Sequence, residues 1–113
     1  REEAYDTLVI AIGSTTNDFG TPGVRQHAIP LETTDQARRF NRRLLNACIR
    51  AQTQAEPIRP GQLHVTIIGA GATGTELAAE LHRATRQLVA YGLDRIDPER
   101  DLRLTLIEAA PRI

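Results

Sequence analysis

Leu63-His64-Val65-Thr66-Ile67-Ile68-Gly69-Ala70-Gly71-Ala72-Thr73-Gly74, running on into Thr75-Glu76-Leu77-Ala78-Ala79-Glu80-Leu81, is the stretch on which the reading of this chain turns. An apolar run of strand length, rich in β-branched residues, meets Gly-x-Gly-x-x-Gly, and a strongly helical sequence follows at once. The order is strand, tight turn, helix. In such a unit Gly69 permits the turn, Gly71 lets a pyrophosphate approach the backbone, and Gly74 lets helix and strand pack closely. The opening of the helix presents unpaired N–H groups and the positive end of its dipole to phosphate.

A glycine pattern alone is weak, and its context gives it weight. A second strand candidate, Asp101 to Glu108, follows the helix and ends in a carboxylate. An acid at that strand end bonds the adenosine ribose hydroxyls of a dinucleotide. Glu108 lies further past Gly74 than the roughly 20 residues of the simplest fingerprint. An elongated helix plus loop accounts for the excess without moving the strand end. The fold class expected is therefore α/β, a Rossmann-like dinucleotide-binding arrangement of three layers about a parallel sheet.

At 113 residues the chain fits one small domain or a piece of a larger protein. No stretch approaches the roughly 18 apolar residues of a membrane span, and Arg1-Glu2-Glu3, leading into a strand candidate, does not read as a signal peptide. A cytoplasmic setting is the default expectation. The formal charge is zero, so no global field draws the chain to nucleic acid or anionic lipid. All 14 basic residues are arginine, which excludes a lysine Schiff base or lysine base within the chain. The single cysteine, Cys48, excludes an internal disulfide and a Cys-x-x-Cys redox pair. Its place on an apolar helix face predicts a buried, unreactive thiol.

In chain order, Tyr5-Asp6-Thr7-Leu8-Val9-Ile10-Ala11-Ile12 reads as a strand buried on both faces, closed by Gly13-Ser14. Thr15 to Pro30 gathers turn formers and reads as a connector, with Phe19 and Val24 as its expected anchors. Thr33-Thr34-Asp35-Gln36 has the spacing of a capping box, which predicts a helix from about Thr34 to about Thr53. Its apolar stripe is Ala37, Phe40, Leu44, Ala47, Cys48 and Ala51. Arg38, Arg39, Arg42, Arg43 and Arg50 fall mostly on other faces, read as a solvated surface rather than a nucleic-acid patch. Glu56 to Gly61 breaks that helix. The helix after Gly74 should pack through Leu77, Ala78, Leu81, Ala84, Leu88 and Val89 and end near Gly92. Leu93 to Arg100 reads as an exposed loop.

These residues resemble a known family. Tyr5 to Ser14, then Asn17-Asp18-Phe19 and Thr21-Pro22-Gly23-Val24, resemble the flavoproteins with two dinucleotide-binding domains. The run Gly69 to Leu81 with its long helix is similar to the type II NADH dehydrogenases, the NADH:quinone oxidoreductases. The resemblance covers essentially the whole chain. It implies FAD in one Rossmann-like domain and NADH in a second, with hydride passing to flavin and electrons onward to a quinone at the membrane face. It implies that residues 1–31 are strand and connector from the FAD-binding domain and that 32–113 are the first half of the NADH-binding domain. On it, Ala11, Ile12 and Gly13 match the segment against FAD. Gly69, Ala70, Gly71, Ala72, Thr73 and Gly74 match the NADH pyrophosphate turn, Glu108 with Ala109 behind it the ribose end. Glu76 matches a helix-start glutamate near nicotinamide and flavin.

The resemblance assigns no catalytic residue and no metal to this chain. The family's FAD glycine motif, later flavin-contacting segment and membrane-binding tail have no counterpart in these residues. The chain is thus expected to be an internal fragment, inactive alone and reaching a membrane surface only through the region it lacks. The full-length enzyme is expected to sit peripherally on the cytoplasmic face of the inner membrane, with a homodimer allowed. Glu108 should favour NADH by repelling a 2′-phosphate, since like charges 4 Å apart cost about 4 kcal/mol at an effective dielectric of 20. Arg112, close by in sequence, softens that preference. Two alternatives stay open: a flavin-dependent NAD(P)H reductase of disulfide or ferredoxin type, and a non-catalytic NAD-sensing Rossmann domain.

Overall fold

A computed structural model describes residues 2–13 and 15–111. The chain divides into two compact units, residues 1–40 and 41–113. The element order is α1 (Val24–His27), α2 (Thr34–Thr53), β1 (Leu63–Ile68), α3 (Ala72–Ala90) and β2 (Leu102–Ile107).

In the first unit the apolar run Tyr5 to Ile12 is not a strand. It is irregular and exposed, with Ile12 at 92%. The sequence expectation fails because a strand exists only through hydrogen bonds to a neighbour, and among the described residues none lies beside this one. Phe19 is a second correction. It is 84% exposed at a positive φ of 49°, so it anchors nothing. The Asn17 side chain accepts from the Phe19 N–H at 2.9 Å, and Asp18 accepts from Gly20 at 2.9 Å, so side-chain turns shape this connector. Asp18 also pairs with Arg25. That guanidinium, then the Gly20 N–H, holds its carboxyl below the usual range. Val24 opens α1, a four-residue helix absent from the sequence reading, and is half-buried.

α2 begins where its capping box says. Gln36 N–H donates to the Thr33 hydroxyl at 3.3 Å, and the Gln36 side chain accepts from the Thr33 N–H at 3.0 Å. The helix ends at Thr53, as expected. Ala37 is exposed, Phe40, Leu44 and Ala47 are half-buried, and Cys48 and Ala51 are buried. The five arginines are all exposed.

The second unit is built on a two-stranded parallel sheet. β1 and β2 pair in register from Leu63 opposite Leu102 to Ile68 opposite Ile107. α3 is the crossover between them, as a parallel connection requires. Burial along β1 alternates, with Leu63 and Ile67 buried and His64, Thr66 and Ile68 exposed. One face of the sheet is therefore covered. Cys48 and Ala51 from α2, Leu63 from β1 and Ile96 from the loop after α3 form the core, with Leu44, Ala47, Ile58, Val89, Leu93 and Leu102 packed around them.

Two expectations about α3 change. The helix starts at Ala72, inside the glycine motif, rather than after Gly74. Thr85, not Ala84, is the buried residue of the fourth turn. Its hydroxyl donates to Leu81 C=O at 2.7 Å, so the polar atom is satisfied within the helix and the methyl can face the core. Gly92 follows the C-cap Tyr91 with φ 121°, a left-handed stop that glycine permits. Nor is the loop 93–100 simply exposed. Ile96 is 2% exposed, the largest of the fully buried side chains. Gln52 of α2 clamps this loop, donating to Asp94 at 2.6 Å and accepting from the Arg95 N–H at 3.1 Å.

Candidate functional site

The turn between β1 and α3 is shaped by what surrounds each glycine. Gly69 has φ 100°, a conformation closed to most side chains, and its N–H reaches Ile107 C=O at 2.8 Å, carrying the ladder one step past the strand. A Cβ on Gly74 would stand 1.9 Å from the Gly69 carbonyl oxygen and 3.5 Å from the Ile67 side chain. Helix and strand approach so closely here that only hydrogen fits. Gly71 is the opposite case. Its φ is −67°, it is the N-cap of α3 without a side-chain cap, and a Cβ there would meet no atom within 4 Å. The approach to the Gly71 Cα is therefore open at the mouth of a helix, where an anion is favoured.

β2 delivers the carboxylate to the same place. Glu108, one residue beyond the strand, accepts from the Ala70 N–H through Oε2 at 2.7 Å and from the Ala110 N–H through Oε1 at 2.9 Å. The Ala110 N–H, followed by that of Ala70, holds this carboxyl below its usual range against a smaller opposing effect of desolvation. It is anionic at neutral pH. Each carboxylate oxygen has two acceptor directions, so one on each remains for a vicinal pair of hydroxyls. Parallel register explains the meeting, since Ile68 and Ile107 are partners and the residues that follow them leave the sheet at one edge.

Of the residues singled out in the sequence, Gly69, Ala70, Gly71, Ala72, Thr73, Gly74, Glu108 and Ala109 therefore share one end of the β1–α3–β2 unit. Ala11, Ile12 and Gly13 belong to the first unit, where Gly13 has φ 67°. Glu76 is exposed, and because α3 starts at Ala72 it falls in the second turn, with no acid in the first. Its expected gain from the helix dipole shrinks accordingly, since that effect fades within a turn. Arg112 lies outside the described residues. Thr75 went unnoticed in the sequence: its hydroxyl donates to Ala70 C=O at 3.2 Å. A threonine directly after the third glycine was the available signal. An open hollow lined by Ala47, Arg50, Gln54, Arg59 and Gln62 lies at the other end of β1 and takes no part in this arrangement.

The whole chain, residues 1–113, matches the pyridine nucleotide-disulphide oxidoreductase family. The chain belongs to that family. It is 38% identical over 125 residues to the type II NADH:quinone oxidoreductase of Haemophilus influenzae, covering 100% of this chain and 28% of that protein. It is 32% identical over 114 residues to the external alternative NADH-ubiquinone oxidoreductase of Yarrowia lipolytica mitochondria, covering 100% of this chain and 19% of the relative. Over 80 residues, 69% of this chain and 14% of the relative, it is 40% identical to an external alternative NAD(P)H-ubiquinone oxidoreductase of potato mitochondria. The chain thus spans between about a seventh and about a quarter of the length of these relatives. No solved structure matches it. Among the described residues, no helix is long and apolar enough to cross a membrane.

Proposed function

We propose that this chain is the NADH-binding segment of a flavin-dependent, non-proton-pumping NADH:quinone oxidoreductase. The observation that carries the reading is the Glu108 carboxylate held 2.7 Å from the Ala70 N–H, beside the open side of Gly71. A sugar ligand and a phosphate cradle are then neighbours, the spacing an adenosine diphosphate moiety needs. In this reading Gly69, Ala70, Gly71, Ala72, Thr73 and Gly74 hold the pyrophosphate. Glu108, followed by Ala109, takes the adenosine ribose, and Glu76 faces the nicotinamide end. Residues 1–31 belong to the flavin-binding domain, with Ala11, Ile12 and Gly13 against FAD, and 32–113 to the NADH-binding domain.

When bound, nicotinamide supplies a hydride to the flavin, whose electrons go on to a membrane quinone. The residues here bind and orient; none is assigned a chemical step. The relatives are named as NADH:quinone and NADH-ubiquinone oxidoreductases, which supports the quinone as acceptor. In this reading the full-length protein sits peripherally at the cytoplasmic face of the inner membrane, with a homodimer allowed.

The experiment is Glu108→Ala in the full-length natural protein, assayed with NADH and NADPH. A charge-assisted hydrogen bond contributes about 1.5–3 kcal/mol, so the KM for NADH should rise about ten- to a hundredfold while discrimination against NADPH relaxes. Unchanged discrimination removes Glu108 from the site. The flavin half of the reading predicts a second Gly-x-Gly-x-x-Gly upstream in the same reading frame, and its absence would favour an NAD-sensing domain instead.

A further inference from the structure

Two peptide units join Gly69, Ala70 and Gly71 at the centre of the turn from β1 into α3, and none of the described peptide bonds is cis. In a trans unit the C=O and N–H point in opposite directions, so holding one end aims the other. In the first unit Glu108 draws the Ala70 N–H toward β2 at 2.7 Å. The Gly69 C=O is thereby sent the other way, onto α3 at the position only a glycine at 74 can leave free.

The second unit, Ala70–Gly71, is held by a side chain with no role so far. Thr75 donates its hydroxyl to Ala70 C=O at 3.2 Å. Thr53 and Thr85 make the ordinary helical bond, each to the carbonyl four residues back, Ile49 and Leu81. Thr75 differs. Its own N–H already closes the helical bond to Gly71 C=O at 3.0 Å, and its hydroxyl reaches one residue further, to a carbonyl outside the helix. With the Ala70 C=O held toward Thr75, the Gly71 N–H of the same trans unit points away from Thr75.

We infer that Thr75 is a positioning residue for nucleotide phosphate, fixing the Ala70–Gly71 peptide so that the Gly71 N–H is aimed at the bound anion before it arrives. This rests on the dinucleotide site proposed above. Glu108 and Thr75 together pin both sides of Ala70, so the turn needs no reordering on binding, which is where preorganisation gains affinity.

The test is Thr75→Val and Thr75→Ser in the full-length natural protein, with NADH as probe. Thr75→Val keeps the branched shape and loses the donor. It should raise the dissociation constant and KM for NADH about three- to tenfold, the worth of one neutral hydrogen bond, and leave kcat at saturating NADH unchanged. Thr75→Ser should return binding to within about twofold. Unaltered NADH binding by Thr75→Val, or no recovery in Thr75→Ser, overturns the inference. Glu108→Ala, measured alongside, separates the two failures. If it weakens NADH and Thr75→Val does not, only the positioning role falls; if neither weakens NADH, the dinucleotide site falls with it.

Discussion

Gly71 and Gly74 stand three residues apart in one turn and answer to opposite constraints. At Gly74 a methyl group would collide with backbone, 1.9 Å from the Gly69 oxygen. Overpacking of this kind costs about 1–3 kcal/mol, occasionally more, so Gly74→Ala should lower the thermal midpoint of the protein and weaken NADH binding as the turn is pushed aside. Gly71→Ala meets open space at an ordinary φ and should fold with at most about 1 kcal/mol lost at the N-cap. It should nevertheless abolish tight NADH binding, because the methyl fills the phosphate's approach; calorimetric melting beside NADH titration reads both outcomes. Glu108 supplies a pH dependence. Its folded carboxyl titrates below its ordinary value because of the Ala110 and Ala70 amides. The stabilisation from these bonds is present above the ordinary carboxylate range and is lost as pH falls through the lowered folded value. Thermal midpoints should therefore fall on acidification more steeply for the parent chain than for Glu108→Gln, and equal slopes would remove this carboxylate from the acid transition. The glycines and Glu108 were legible in the sequence because each meets a demand that few residues satisfy. Thr75 was not, since its bond depends on where one carbonyl points.

At the scale of elements, the loop after α3 shows how a polar stretch hides a core residue. Ile96 lies between Arg95 and Asp97, yet it closes the core formed by Cys48, Ala51 and Leu63. Ile96→Ala should cost about 2–5 kcal/mol, read as a lowered urea midpoint at unchanged slope. A loss under about 0.5 kcal/mol would show that the loop is only draped over the surface. The same loop explains the long spacing between Gly74 and Glu108. Asp101 ends it, accepting from the Asp97 N–H at 3.0 Å and pairing with Arg100 at 2.8 Å. That arginine, opposed by burial, keeps the Asp101 carboxyl below its usual range. The boundaries of α2 were readable because a capping box is local chemistry. The start of α3 at Ala72 places Ala72, Thr73 and Gly74 inside the helix, where Gly74 lies against the Gly69 carbonyl and Ile67, a contact that a local reading of the glycine pattern does not contain. Cys48 behaved as its apolar stripe foretold, with burial pushing its thiol up and out of reactivity.

At the scale of the molecule, unpaired surface is the dominant fact. Among the described residues the two-stranded sheet has two free edges, Ile68 and Ile107 are exposed on it, and Tyr5, Leu8, Val9, Ile10 and Ile12 are exposed in the first unit. Free edges and contiguous apolar surface invite association. The isolated 113-residue chain should therefore show a weight-average mass that rises with concentration in sedimentation equilibrium. A strictly monomeric chain would mean that these surfaces cover themselves in solution. By itself the sequence determined what local chemistry can dictate: the strand–turn–helix unit, the glycines of the turn, the capped α2 and the acid at the end of β2. Only the tertiary structure decided that Ile96 is core and Tyr5 to Ile12 is not, and that Glu108 and Thr75 hold the two peptides on either side of Ala70. Burial and strand pairing depend on neighbours distant in sequence, whereas turn conformation and helix capping depend on residues within one turn of each other.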